Sequence, residues 1–83
     1  MFPGFVTLYK DKDNFINLYF YPGISDENEI IYKPLELVNY NFEYQKILND
    51  DYSIVYKFAN KNIKSITCKL VSEIDTNNIK LNI

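Results

Sequence analysis

Eleven carboxylates, nine lysines and a single thiol are the side chains best suited to chemistry in this 83-residue sequence, which has no histidine and no arginine. Without an imidazole, a serine or cysteine nucleophile has no side-chain base of the usual kind to take its proton. Cys68 lies between Ile66 and Leu70 at strand spacing, and apolar burial raises a thiol's pKa and makes it inert. A carboxylate pair could run acid–base or glycosidic chemistry if one member were desolvated. Asp11, Asp13, Asp26, Glu27, Glu29, Asp50 and Asp51 nevertheless fall in expected turns, where water keeps carboxylates ordinary. The expectation is a protein that is not an enzyme.

Metal and cofactor sites fare no better. Asp11-Lys12-Asp13-Asn14 and Asp26-Glu27-Asn28-Glu29 have the opening rhythm of a calcium loop, but neither is followed by the glycine and distal glutamate that complete such a loop. One cysteine and no histidine exclude the usual zinc patterns and any intramolecular disulfide. Phosphate-cradling loops need clustered glycines, and the chain has two, Gly4 and Gly23. No metal and no cofactor is expected.

Charge is divided unevenly. Residues 1–51 carry nine acids and four lysines, net −5; residues 52–83 carry two acids and five lysines, net +3; together they give the chain's −2. Lys57, Lys61, Lys64 and Lys69 fall on one expected hairpin with Tyr56 and Phe58 interleaved, the mixture of charge and stacking that single-strand binders use. The pI of about 4.9 and the lack of arginine weigh against nucleic acid, and mutual neutralisation of the two halves is the plainer account. The acidic half suits the opposite partner, a protein with a basic surface.

The elements that must carry these residues are strands. Composition is 47% hydrophobic and 24% charged, as in globular domains, and aromatics reach 17%, with 8 Tyr and 6 Phe. Tyrosines suit the rim of a small core, or an exposed recognition face. Apolar–polar alternation predicts strands over Phe5–Lys10, Phe15–Tyr21, Ile30–Tyr32, Tyr52–Phe58 and Ile63–Ile74, and over Ile79, Leu81 and Ile83. Turns are expected at 11–14, 22–23, 50–51, 60–62 and 76–78, with a bulge where Leu70 and Val71 adjoin. Residues 35–49 read two ways: Val38, Tyr40, Phe42 and Tyr44 alternate like a strand, whereas Leu37, Tyr40, Tyr44, Ile47 and Leu48 keep helical spacing. The strand reading is preferred, with a short helix near Tyr44 to Asn49 as the alternative. The expected fold is one domain over 1–83, mostly β, an antiparallel meander, two-layer sandwich or open barrel of six to seven strands; the helix would make it α+β.

In the second strand, Ile16, Leu18 and Phe20 would face the core and Phe15, Asn17, Tyr19 and Tyr21 the other side. A strand with aromatics on both faces points to a protein-binding module that uses Tyr19 and Tyr21 beside Asp26, Glu27 and Glu29. A tiny acidic chain with an A/T-rich codon bias also fits an inhibitor encoded by a phage or mobile element, acting on a host protein such as a nucleic-acid-binding enzyme. The alternatives are single-stranded nucleic-acid binding through Tyr56, Lys57, Lys61, Lys64 and Lys69, and a structural homo-oligomer such as a homodimer. No signal peptide or membrane-crossing run is visible, so the cytoplasm is the expected location.

Overall fold

The alternating pattern becomes seven strands in the computed structural model, which describes residues 4–24, 26–27, 35–38, 42–71 and 76–83. They are β1 (Phe5–Lys10), β2 (Ile16–Tyr21), β3 (Glu36–Leu37), β4 (Tyr44–Leu48), β5 (Ile54–Phe58), β6 (Ser65–Val71) and β7 (Thr76–Asn82). All pairings are antiparallel: four strands in the order β1-β2-β5-β4, and three in the order β3-β6-β7. The two sheets are not closed into a barrel. The described residues include no helix, so the strand reading of residues 44–48 holds and the helical alternative does not. The strand expected over Ile30–Tyr32 lies outside the described residues.

Side-chain period then decides the core. Ile16, Leu18 and Phe20 from β2 and Ile54, Tyr56 and Phe58 from β5 face Ile66 and Cys68 from β6, closed by Leu35 and Ile63 and flanked by Val6, Leu8, Leu37, Ile79 and Leu81. One face of each sheet supplies these residues, which is two-layer packing. At roughly 1.5–3 kcal/mol for each fully buried aliphatic or phenyl group, this cluster is the main stabilising term.

The four-stranded sheet is built from two hairpins of one design. In the first, Asn14 N–H donates to Asp11 O (3.0 Å) and Asp11 N–H to Phe15 O (2.9 Å), with Asn14 at φ 67°. In the second, Tyr52 N–H donates to Asn49 O (3.1 Å) and Asn49 N–H to Ser53 O (2.9 Å), with Tyr52 at φ 70°. Each is a tight turn followed by one left-handed residue. Asp11 corresponds to Asn49, Asn14 to Tyr52 and Leu18 to Tyr56 at one constant offset, and Leu18 sits opposite Tyr56 in the β2–β5 pairing. Equivalent residues facing each other across that pairing make the two hairpins related by a local two-fold axis between β2 and β5.

Asn tolerates the left-handed region and Tyr does not, so the second turn carries strain that the first lacks. Tyr52, expected to begin a strand, instead occupies this turn with its ring exposed. Tyr52→Gly is expected to stabilise the protein by about 1 kcal/mol, since the left-handed penalty of ~1–2 kcal/mol exceeds the entropy glycine adds. Asn14→Gly should be close to neutral. Urea midpoints of both variants check this, and no gain for Tyr52→Gly overturns it.

Three other expectations need correction. The β6–β7 register runs without interruption from Ser65↔Asn82 to Val71↔Thr76, so there is no bulge at Leu70 and Val71. Thr76, Asn77 and Asn78 are strand rather than turn, because pairing with Val71, Leu70 and Lys69 overrides their turn preference. Finally, β5 and β6 do not form a hairpin: they belong to different sheets, and the segment between them passes from one layer to the other.

β4 closes one side of the four-stranded sheet, and all of its residues are exposed. Ala59 N–H donates to Glu43 O (3.1 Å) and Asn49 N–H to Ser53 O (2.9 Å), so the odd-numbered residues bond β5. The backbone N–H and C=O groups of Tyr44, Lys46 and Leu48 therefore point away from the sheet, and no described strand pairs with them.

Candidate functional site on the outer face of the four-stranded sheet

The face turned away from the core is set by the odd-numbered positions of the four strands. Register places Phe5 opposite Tyr21, and Thr7, Tyr19, Val55 and Ile47 in one row across the sheet. Tyr9, Asn17, Lys57 and Gln45 form the next row. Phe15, Ala59 and Glu43 continue the face beyond it.

At one end the aromatic rings gather. Phe5 stacks on Tyr19 with centroids 5.7 Å apart and on Tyr21 at 6.1 Å. On the same face Phe5 is 46% exposed, Ile47 37% and Tyr9 41%, one in each of three successive rows of the sheet.

At the other end charge meets a ring. The Lys57 ammonium lies 4.5 Å and the Lys61 ammonium 4.3 Å from the centre of the Phe15 ring, both within cation–π range. Asp11 organises this corner. Its Oδ1 accepts the N–H groups of Asp13 and Phe15, each at 2.9 Å, and its Oδ2 accepts Asn17 Nδ2 at 3.0 Å with Lys57 Nζ 3.9 Å away. Desolvation pushes the Asp11 carboxyl up, but the bonds from Asn17, Phe15 and Asp13 and the charge of Lys57 outweigh it and hold the pKa below the ordinary value. The turn is thereby pinned and Phe15 is presented beside Lys57. In the second hairpin, Asp51 is likewise held low, chiefly by the Ser53 hydroxyl and then by the Ser53 N–H.

Beside Phe15 the sheet forms an open cleft of about 420 Å³, lined by Phe15, Glu43, Tyr44, Gln45, Lys57, Phe58 and Ala59. Phe15 is the ring presented on the outer face here; the Tyr44 and Phe58 rings meet edge to face at 5.8 Å on the core side of the sheet.

These positions sort the candidate residues. Tyr19 and Tyr21 share the outer face, half-buried, and Asp26 and Glu27 are exposed in the turn region that follows Ile24. Glu29 lies outside the described residues. Of the basic set, Tyr56 is 2% exposed in the core, on the side of β5 opposite to Lys57, and is no stacking platform. Burial pushes its hydroxyl up to about 12 and the Cys68 thiol up to about 11, so both stay protonated at neutral pH. Lys57 and Lys61 meet at Phe15, Lys64 is exposed just before β6, and Lys69 stands opposite Glu36 on the three-stranded sheet. The basic residues therefore do not form one hairpin surface. Sequence reasoning put Phe15 on the correct face but missed its pairing with the lysines, whose signal was the strand parity shared by Phe15 and Lys57 on neighbouring strands.

Among the described residues, no three His, Cys, Asp or Glu side chains gather as a metal-ligating set, and no helix is long and apolar enough to cross a membrane. No protein-family model, no curated protein and no solved structure matches this chain, so its function is read from these side chains alone.

Proposed function

We propose that the chain is a non-catalytic protein-binding module that docks through the outer face of its four-stranded sheet. The observation that carries this reading is the ring cluster of Phe5, Tyr19 and Tyr21, exposed apolar area held on rigid paired strands. Rings on a sheet lose little entropy on contact, and buried aromatic anchors dominate interface energetics. The proposed occupant is a protein with a basic rim, complementary to the exposed Asp26 and Glu27 and to the net charge of −2. Such a partner suits an inhibitor from a phage or mobile element that covers part of a host enzyme. A reducing compartment, the cytoplasm, is proposed because the one thiol, Cys68, is free and buried.

A Tyr19→Ala, Tyr21→Ala double variant tests the reading. Partner capture by the native chain and by the variant is compared at matched concentration, with circular dichroism to show that both fold. Binding should fall by about 2 kcal/mol or more for each ring that acts as an anchor. A folded variant that retains the partner overturns the proposal, and so does light scattering that shows the native chain as a dimer and the variant as a monomer.

A further inference from the structure

We propose that the cleft beside Phe15 is a binding site for a nucleotide, free or as one unit of a single strand, with the base against the Phe15 ring and the phosphate held by Lys57 and Lys61. This site is independent of the docking reading above, lying at the far end of the sheet face from Tyr21. Its volume of about 420 Å³ is in the range of small-ligand sites. Two ammonium groups within 4.5 Å of one ring centre concentrate positive charge over an apolar plate. An anion carried on a flat ring satisfies both features at once: the ring stacks, and the anion replaces the weaker cation–π partner of each lysine.

The remaining lining fixes the orientation. Glu43 repels a phosphate, so the anion sits on the Lys57 and Lys61 side, leaving Glu43 and Gln45 to meet the base edge or the sugar hydroxyls. Gln45 can both donate and accept, and Glu43 accepts. Asp11 carries a full charge beside Lys57 but its oxygens already accept three hydrogen bonds, which holds it in the turn and leaves Lys61 as the more available cation. With two lysines engaged on an otherwise acidic chain, the site is a local one and does not track a long backbone.

The test is an NMR titration of the full chain with adenosine monophosphate, with a ten-residue oligo(dA) and with inorganic phosphate, at 50 and 200 mM salt. Both nucleotide ligands should shift the amides of Phe15, Lys57 and Ala59, and two phosphate contacts predict about a sevenfold loss of oligonucleotide affinity between the two salts. Lys57→Gln with Lys61→Gln, changes that spare the core, should weaken both and flatten the salt dependence. Phe15→Leu should cost about fivefold or more by removing the stacking surface. Response to the oligonucleotide but not the mononucleotide also supports the site and identifies a strand as its source. Equal shifts with inorganic phosphate, meaning an adventitious ion only, overturn the proposal, as does nucleotide binding indifferent to the lysine variant or no shift at millimolar ligand.

Discussion

Phe58→Ala is expected to lower stability by about 3–5 kcal/mol, the cost typical of deleting a fully buried phenyl ring. Phe58 has no exposed surface, lies in a strand paired on both sides, and meets Phe42 edge to face at 6.1 Å and Tyr44 at 5.8 Å. Domains are stable by roughly 0.05–0.15 kcal/mol per residue, or about 4–12 kcal/mol at this length, so the loss consumes a large part of the total. Urea denaturation followed by circular dichroism measures it, with Phe58→Leu as the comparison expected to lose much less. A loss below about 1 kcal/mol for the alanine variant would show that the ring is not packed in solution as described here.

Gly4→Ala is the second large effect, through backbone rather than side chain. A Cβ at Gly4 would lie 2.6 Å from Gly23 N, 2.7 Å from Tyr21 O and 2.9 Å from Pro22 C. All three are main-chain atoms, so no flexible side chain can move aside. Gly4 also has φ +77°, which costs a residue with a Cβ about 1–2 kcal/mol by itself. Together strain and displacement should reach about 2–3 kcal/mol, a fall of about 10–20 °C in Tm for a domain of this size. The damage should be local, loosening the Phe5–Tyr21 end of β1 and with it the stacked rings on the outer face. A Tm within about 2 °C of the native value would mean that the two backbone segments are not held this close.

What could be read from the sequence follows from which forces are local. Alternation placed β1 to the residue and β2 to within one, because a strand with one buried face repeats every second side chain. The turn at residues 11–14 was legible because Asp11 and Asn14 are residues whose own chemistry makes that turn. The turn at residues 49–53 was only half legible: nothing in a tyrosine announces a left-handed residue, and only the tertiary pairing of β4 with β5 forces Tyr52 there. The same holds for Thr76 to Asn78, where register with β6 overrode composition. Strand partners were not legible at all. Adjacent strands β5 and β6 looked like a hairpin, yet β5 lies between β2 and β4, paired on both sides, and β6 belongs to the other sheet. That choice removed Tyr56 and Lys69 from the basic surface and brought Lys57 to Phe15 instead.

β4 has one more consequence, for what happens when many copies are crowded together. Its edge offers the backbone of Tyr44, Lys46 and Leu48 to any extended chain, and Leu48 is 71% exposed beside it. An identical strand arriving antiparallel and centred on this one would set Lys46 against its own counterpart, two like charges in direct opposition, which disfavours that register. Lys46 thus disfavours the pairing of two copies through this edge, a symmetric contact that would close as a dimer, and a chain neutralised at this one amine would lose that repulsion.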